Sequence, residues 1–256
     1  MPERAEVKRR FVVVTGGTRG IGRSIAAAFL AAGDTVTVCG RTAPENLPSI
    51  GDNTALFESA DLRDPAQAEN LIKRFVAQHG RIDILINNAG GTPPVKAATA
   101  PPRLSEKILQ LNLLAPLYCA QPANAAMQTQ ATGGLIINIA SVAGVRPSPG
   151  TAIYGAAKAG LLSLTRSLAM EWAPKVRVNA IIAGLVLTDA AEEHYGGPEG
   201  IAAVARTIPM GRFAAPSDIG NACLLLASPL ASYISGAALE VHGGGEPPVF
   251  LSAASE

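Results

Sequence analysis

Two residues with acid–base chemistry stand four positions apart in the segment IYGAAKAGLLSLTRSLA. On a helix, Tyr154 and Lys158 would lie on one face, because residues at i and i+4 are neighbours there. A nearby ammonium favours the phenolate. One close charge with little water could supply the ~4 kcal/mol needed to lower a tyrosine pKa from ~10 towards neutrality. We therefore expect a lowered Tyr154 pKa; the alternative is an ordinary exposed helix face.

Two polar residues precede this pair. Ser141 ends the apolar run GLIINIAS, so its hydroxyl could polarise a carbonyl oxygen at the carboxyl end of a sheet. Asn112 lies four residues before Pro116 in LQLNLLAP. If this segment is helical, the proline leaves the Asn112 carbonyl without its usual partner, and that oxygen could hold a water beside Lys158. The alternative is an ordinary proline-kinked helix.

A glycine-rich segment, TGGTRGIG at 15–22, follows the first apolar run. Its spacing permits a tight turn and a close approach of the backbone to a phosphate at a helix N-terminus, although a purely structural turn is the alternative. The overlapping GTRGIGRS at 17–24 nearly matches the phosphate loop of nucleotide triphosphatases. Arg23 stands where that loop needs lysine, so a dinucleotide site is favoured over a triphosphatase.

The end of the second apolar run bears on which dinucleotide binds. An NAD site needs an acid there, about 20 residues after the glycines, to bind the adenosine ribose. The run TVTVC is followed by Gly40 and Arg41, and Asp34 lies before it, at the wrong end. Arg41 and Arg19 could bind a 2′-phosphate through charge-assisted bonds, although either alone could be a solvated surface charge. We expect NADP(H), with NAD(H) less suitable.

Short β-branched runs alternate with helical patterns along the whole chain. The runs are 11–15, 35–39, 54–59, 82–87, 134–141, 176–181 and 237–242. This alternation predicts an α/β fold, a Rossmann-like doubly wound parallel sheet of about seven strands with helices on both faces. We find no linker or repeat, so residues 1–256 are predicted to form a single domain, with a flexible substrate flap at about 189–210.

Composition excludes several classes of protein. The 256 residues are 48% hydrophobic, which disfavours disorder, and a net charge of +1 disfavours a nucleic-acid partner. The three cysteines lie far apart and away from the three histidines, so no metal site is expected. The charged start lacks a signal-peptide core, and no apolar run approaches the ~18 residues of a membrane span. We expect a soluble cytoplasmic enzyme with no membrane partner.

Taken together, TGGTRGIG at 15–22, NNAG at 87–90, Asn112, Ser141 and the pair Tyr154 and Lys158 resemble the short-chain dehydrogenase/reductase family in order and spacing. The resemblance covers nearly the whole chain. It implies that Tyr154 is the general acid or base and that Lys158 lowers its pKa and binds the nicotinamide ribose. It further implies that Ser141 orients the substrate oxygen, that Asn112 holds a proton-relay water, and that the protein is a homo-oligomer, tetramer or dimer.

The same resemblance implies a set of cofactor-binding residues. They are Gly16, Thr18, Arg19, Gly20, Ile21, Gly22, Arg41, Asp61, Leu62, Asn88, Ala89, Gly90, Tyr154, Lys158, Gly184, Val186 and Thr188. Asp61 would contact adenine, and Val186 and Thr188 would contact the nicotinamide. The sequence departs from the family at Ala183, where proline is usual and whose loss predicts a looser loop, and at His242, where aspartate is usual and a change in packing is expected.

The expected activity is reversible hydride transfer between NADP(H) and a ketone or secondary alcohol. The substrate pocket is predicted near 91–97, 142–150 and 185–210. Val142, Val145 and Pro147 would give it an apolar wall, which favours a 3-oxoacyl thioester, a steroid or a polyketide-like compound over a free sugar. Arg146 could anchor an anionic group or face solvent. The alternative function is a non-catalytic NAD(P)-sensing protein on the same fold.

Overall fold

The computed structural model describes residues 9–188, 191 and 195–247. Seven parallel strands form its main sheet: β1 (Phe11–Thr15), β2 (Thr35–Gly40), β3 (Leu56–Ser59), β4 (Ile84–Asn87), β5 (Gly134–Ser141), β6 (Val176–Ala183) and β7 (Ala238–Val241). Their order across the sheet is β3-β2-β1-β4-β5-β6-β7, and every pairing is parallel. The predicted Rossmann-like single-domain fold is therefore confirmed.

Seven α-helices lie among the described residues. They are α1 (Gly20–Ala31), α2 (Pro65–His79), α3 (Pro102–Leu109), α4 (Ala115–Thr129), α5 (Ala152–Glu171), α6 (Gly197–Ala205) and α7 (Pro216–Ala227). A five-residue π-helical turn, Gln110–Leu114, joins α3 to α4. None of the helices in the described part of the chain is both long and apolar enough to cross a membrane.

Helices cover both faces of the sheet, which explains why its strands read as continuous apolar runs. In β1, Val12 and Val14 belong to the core cluster that contains Phe29 of α1, whereas Val13 belongs to the cluster that contains Phe75 of α2. Successive strand residues point to opposite faces, so each face of β1 packs against a different helix layer.

The strand order reverses at β1, which places a ligand crevice at the carboxyl ends of β1 and β4. Strands β2 and β3 lie on one side of β1 in the sheet, and strands β4 to β7 lie on the other side. In the register, Asn87 pairs with Asn138 and Ser141 pairs with Ala183. The residues predicted to do chemistry therefore lie at the edge of the sheet where a dinucleotide fold binds its ligand.

One local prediction needs correction. The predicted strand at 54–59 begins only at Leu56, because Asn53–Thr54 pairs antiparallel with Ser49–Ile50 in a separate two-stranded hairpin. The segment predicted to be a flexible flap, 189–210, contains the helix α6 at 197–205, and its flexibility stays a prediction; residues 189–190 and 192–194 lie outside the described residues.

Candidate active site

Three elements bring the four predicted catalytic side chains to one place. Ser141 is the last residue of β5, Tyr154 and Lys158 lie in the first two turns of α5, and Asn112 lies in the π-helical turn before α4. The Ser141 side chain lies near the Tyr154 hydroxyl, close enough to lower the pKa of the tyrosine. Ser141 Oγ also accepts the backbone N–H of Ala143 at 3.2 Å, which fixes the serine side chain.

Lys158 is held by the backbone of β5. Its side chain is buried, and Nζ donates a 2.8 Å hydrogen bond to the carbonyl oxygen of Ile139. Burial lowers the pKa of Lys158 to about 8, because the charged ammonium loses its water. A pKa of about 8 still leaves most of the lysine protonated at neutral pH.

The expected lowering of the Tyr154 pKa is wrong for the protein chain by itself. Burial raises this pKa, and the hydrogen bond with Ser141 lowers it by less. The Lys158 ammonium is already bonded to the Ile139 carbonyl and lies 5.6 Å from the centre of the tyrosine ring. Burial is therefore the larger effect on the Tyr154 pKa, and Tyr154 is the proton-carrying phenol at neutral pH.

Asn112 ties the loop after β4 to the helix. Its Nδ2 donates to the carbonyls of Gly91 (2.9 Å) and Ile108 (3.0 Å), and its Oδ1 accepts the Gly91 N–H at 2.9 Å. The irregular helix expected before Pro116 is present as the π-helical turn, since the proline has no N–H to continue the ladder. The water-holding role of Asn112 stays a prediction.

Gly90 allows the two polar side chains behind it to approach the site. A Cβ at this position would lie 2.6 Å from Asn112 Oδ1 and 3.3 Å from Lys158 Nζ. Any larger residue would push these groups apart. Gly90, a predicted cofactor-binding residue, thus lies directly against two of the predicted catalytic residues.

The glycine-rich turn has the geometry that a pyrophosphate needs. Gly16 has φ of 62° and Gly20 has φ of 51°, a region that favours glycine, and a Cβ on Gly22 would collide with the Gly16 carbonyl oxygen. The N-cap residue of α1, Arg19, makes no side-chain capping bond, and the first turn holds no acid. The helix N-terminus can therefore receive an anion.

Thr15 was not predicted as a site residue, yet it joins the ends of β1 and β4. Its Oγ1 donates to the Ile86 carbonyl at 3.2 Å and accepts the backbone N–H groups of Asn88 (2.9 Å) and Ala89 (3.0 Å). Asn88 Nδ2 in turn donates to the Thr15 carbonyl at 2.9 Å. A polar residue that ends a buried strand was the available signal, as it was for Ser141.

A second group of residues that the sequence did not predict forms a buried network of hydrogen-bonded amides and hydroxyls. Asn87 Nδ2 donates to Asn138 Oδ1, and Asn138 Nδ2 donates to Thr165 Oγ1, both at 2.9 Å. Thr165 Oγ1 donates to the Leu161 carbonyl at 2.8 Å. This network links β4 and β5 to α5, so it helps to set the position of the helix that carries Tyr154 and Lys158. The signal was Asn138, a polar residue within the buried run GLIINIAS.

The predicted adenosine side contains two arginines at the surface. Arg41 directly follows β2 and Arg19 precedes α1, and both are exposed. A Cβ on Gly40 would lie 3.5 Å from Thr18 Cγ2, so the glycine turn and the end of β2 are neighbours. Within the described ranges, neither guanidinium makes a hydrogen bond or an ion pair.

Two acids of this part of the structure, Asp34 and Asp61, are already bound to arginines. Asp34 is buried at the amino end of β2, where both of its oxygens bind Arg10, as expected for an acid at the wrong end of the strand. Asp61 binds Arg63 through both carboxylate oxygens, and the Arg63 guanidinium holds the pKa of this carboxyl below its usual range. Arg63 is thus a further residue at the predicted adenine position.

Two predicted cofactor residues have side chains in the core. Ile21 packs against the cluster on one face of the sheet, and Leu62 is buried in the cluster on the other. Their side chains point into the protein, so contact with a cofactor would involve their backbone.

Backbone bonds hold the segment predicted to face the nicotinamide. The Gly184 N–H donates to the Val241 carbonyl at 3.0 Å, and the Leu187 N–H donates to the Ala214 carbonyl at 2.9 Å. Val186 forms a parallel bridge with Ala214. A Cβ on Gly20 would lie 3.7 Å from Thr188 Cγ2, so this segment reaches the glycine turn. The looser loop expected from Ala183 stays a prediction.

His242 shapes the same turn. A Cβ on Gly184 would lie 2.7 Å from His242 Cα, and the histidine Nε2 lies 2.9 Å from Glu240 Oε2. Its backbone packs against the nicotinamide-side loop, and its side chain is paired with a neighbouring acid. The structure thus gives His242 packing contacts, as the sequence led us to expect.

A large cavity lies apart from these residues. A cavity of about 670 Å³ lies between α2 and α4 and is lined by Ile72, Val76, Tyr118 and Pro122 among others. None of the predicted catalytic or cofactor-binding residues lines it. Side-chain chemistry, rather than cavity size, therefore identifies the candidate site.

Comparison with known proteins identifies the family of this chain. Residues 16–246 match the family model described as enoyl-(acyl carrier protein) reductase. The chain is 35% identical over 246 residues to the 3alpha-hydroxysteroid dehydrogenase of Mediterraneibacter gnavus, covering 93% of this chain and 97% of that protein. It is 32% identical over 239 residues to a 3-oxoacyl-(acyl-carrier-protein) reductase of Chlamydia muridarum, covering 91% and 95%.

A solved structure shares the architecture. The ligand-free aldohexose dehydrogenase of Thermoplasma acidophilum superposes with a TM-score of 0.85 and 28% sequence identity, covering 92% of this chain and 93% of that one. The sheet order, the glycine turn and the Ser141, Tyr154 and Lys158 cluster agree with these similarities. The chain belongs to the short-chain dehydrogenase/reductase family and is an oxidoreductase.

Proposed function

We propose that this protein reduces ketones with NADPH and, in the reverse direction, oxidises secondary alcohols. The observation that carries the proposal is the placement of Ser141 and Tyr154 next to each other, near the buried ammonium of Lys158. When bound, the nicotinamide supplies a hydride to the carbonyl carbon. The two hydroxyls bind the carbonyl oxygen, and Tyr154 donates the proton that completes the alcohol.

The protonation states support reduction at neutral pH. Burial raises the pKa of Tyr154, so its phenol carries the proton that the reduced oxygen needs. Lys158, fixed by the Ile139 carbonyl, would hold the nicotinamide ribose, in line with the family resemblance. Asn112, which faces Gly90 together with Lys158, would position the water that restores the proton to Tyr154.

The choice of NADP(H) over NAD(H) rests on charge at the end of β2. No acid follows this strand in the sequence Gly40–Arg41–Thr42, and the nearby Asp61 carboxylate is already bound to Arg63. Within the described part of the chain, the guanidinium groups of Arg19 and Arg41 make no hydrogen bond or ion pair, whereas those of Arg63 and Arg10 are bound to carboxylates. Two such guanidinium groups beside the glycine turn suit a 2′-phosphate.

The proposed substrate is an apolar ketone, such as a 3-oxoacyl thioester, a steroid or a polyketide-like compound. The relatives alone do not choose, because their names include a steroid, an acyl-carrier-protein thioester and an aldohexose. Support comes from Val145, Leu187 and Met210, large apolar side chains that remain exposed on the segments after β5 and β6. Exposed apolar groups favour a substrate with apolar surface to bury.

The test of catalysis is the substitution Tyr154→Phe, which removes one hydroxyl and keeps the ring. We expect turnover of ketones, followed by NADPH absorbance, to fall about 100-fold to 10,000-fold because the proton donor is lost. NADPH binding, measured by fluorescence titration, should change less than about threefold. Substantial remaining turnover would refute the assignment of Tyr154.

An assay of NADPH oxidation by the wild-type protein distinguishes the proposed enzyme from the alternative sensor. Both would bind NADPH, but only the enzyme oxidises it when a panel of ketones is added. Tight NADPH binding without turnover of any ketone or secondary alcohol would favour the non-catalytic NAD(P)-sensing protein.

The proposed assembly is a homo-oligomer, a tetramer or a dimer, formed at the β7 edge of the sheet. β7 pairs with β6 on one side and ends the sheet on the other. Leu230 and Tyr233, which lead into this strand, are exposed by 91% and 101%. A free strand edge beside exposed apolar side chains favours association with another chain.

A further inference from the structure

Arg146 and Glu246 form an ion pair at the carboxyl edge of the sheet. Their closest atoms, Nη2 and Oε1, are 2.5 Å apart, and Arg146 Nη1 also donates to the Pro147 carbonyl at 2.9 Å. The two residues are 100 positions apart in the chain, and each side chain is a little over one-third exposed. Tertiary structure alone brings them together.

Both ends of the pair are anchored to the candidate site. Arg146 follows Ser141 by five residues, and its backbone N–H donates to the Val142 carbonyl at 3.1 Å, so the turn after the serine positions it. Glu246 follows β7 beyond His242, whose Cα packs against Gly184 of the nicotinamide-side loop. The pair therefore connects the loop after β5 with the segment after β7.

Aromatic and apolar side chains lie near the Arg146–Glu246 pair. Tyr195 packs edge-on against Phe213, with ring centroids 5.1 Å apart. Burial raises the pKa of Tyr195, Glu246 raises it further and Arg146 lowers it, so the tyrosine lies within the field of both charges. Val145, next to Arg146, is exposed by 53%.

We propose that Glu246 neutralises Arg146 and thereby makes the substrate entrance selective for uncharged ketones; this inference rests on the proposed function. An anionic substrate that sought the arginine would have to displace Glu246, which already occupies the guanidinium. A neutral substrate has no such competition and contacts the apolar groups around the pair. Arg146 thus becomes an anion anchor only when its partner is removed.

The experiment compares levulinate, an anionic ketone, with its uncharged methyl ester. The measured quantity is the kcat/KM for levulinate divided by that for the ester, determined for the wild type and for variants with altered charge. In Glu246→Gln the freed Arg146 should raise this ratio about twofold to fivefold, as expected for a partly exposed charge pair. In Arg146→Gln the remaining carboxylate should lower it by a similar factor.

Two further variants separate charge from structural damage. The exchange of both charges, Arg146→Glu with Glu246→Arg, should restore a ratio close to that of the wild type. Glu58→Gln breaks a comparable partly exposed pair between Glu58 on β3 and Arg74 on α2, and it should leave the ratio unchanged.

Two results would overturn the inference in different ways. If the wild type reduces the ester but the ratio stays constant in both single variants, the pair does not select substrate charge and the proposed function stands. If no ketone is reduced by the wild type, the proposed function fails and the inference fails with it.

Discussion

Single residues of the site are tuned mainly by burial. Lys158 and Tyr154 both lose water, which lowers the pKa of the lysine to about 8 and raises that of the tyrosine. Each shift disfavours the charged form of its group. The result at neutral pH is a phenol that can donate a proton next to an ammonium that is easily deprotonated.

The buried lysine should leave a signature in the pH dependence of stability. Its pKa is about 8 in the folded protein, below the ordinary value of 10.5, so the unfolded chain binds more protons between these two pH values. Stability from this group therefore rises with pH across that window. We expect the unfolding free energy of the wild type, relative to Lys158→Met, to increase by about 3 kcal/mol between pH 8 and 10.5.

Urea unfolding at a series of pH values measures this difference. Lys73→Met is the matched control, because Lys73 is an exposed helical lysine paired with Glu69, and its difference from the wild type should stay nearly flat. A constant difference between the wild type and Lys158→Met over the same pH values would contradict the burial argument.

At the scale of elements, the site depends on where strands end and helices begin. Thr15 closes β1 onto β4, and Asn138 with Thr165 connects β5 to α5. Lys158 adds its own bond to β5. These contacts fix the catalytic helix against the strand that carries Ser141, so the distance between serine and tyrosine depends on packing across three elements.

The prediction about cofactor choice concerns the region where the end of β2 lies close to the start of α1. Arg41 follows β2 and Arg19 precedes α1, and among the described residues neither guanidinium group makes a hydrogen bond or an ion pair. We expect Arg41→Ala to weaken NADPH binding about 10-fold to 100-fold through loss of a charge-assisted hydrogen bond. NADH binding should change less than about twofold, because NADH has no 2′-phosphate.

Fluorescence titration with each cofactor measures both affinities. Arg74→Ala, which removes an arginine already paired with Glu58, is the matched control and should alter neither. Equal losses of NADPH and NADH affinity in Arg41→Ala would refute the phosphate-binding role.

For the whole molecule, the proposed homo-oligomer would cover the exposed β7 side of the sheet. Replacing both Leu230 and Tyr233 by serine should lower the mass measured by light scattering after gel filtration, because it removes apolar contact area. Ile50→Ser changes an exposed residue of the separate hairpin and should leave the mass unchanged. A double variant with the same mass as the wild type would exclude this surface as the interface.

Local patterns in the sequence were sufficient to predict the fold and to select the candidate catalytic residues. Apolar runs of strand length mark elements covered on both faces, and the glycine spacing marks a turn that only glycine can form. Both signals depend on neighbours within a few residues. For this reason the seven strands, the glycine turn and the positions of Ser141, Tyr154 and Lys158 could be predicted without coordinates.

Tertiary structure decided what depends on contacts between distant segments. The direction of the Tyr154 pKa shift follows from burial, which is not visible in the spacing of Tyr154 and Lys158. Arg146 is bound by a glutamate 100 residues away, so its charge is not freely available to a ligand. Burial and long-range pairing set the strength of each charge, because both depend on which atoms replace water around it.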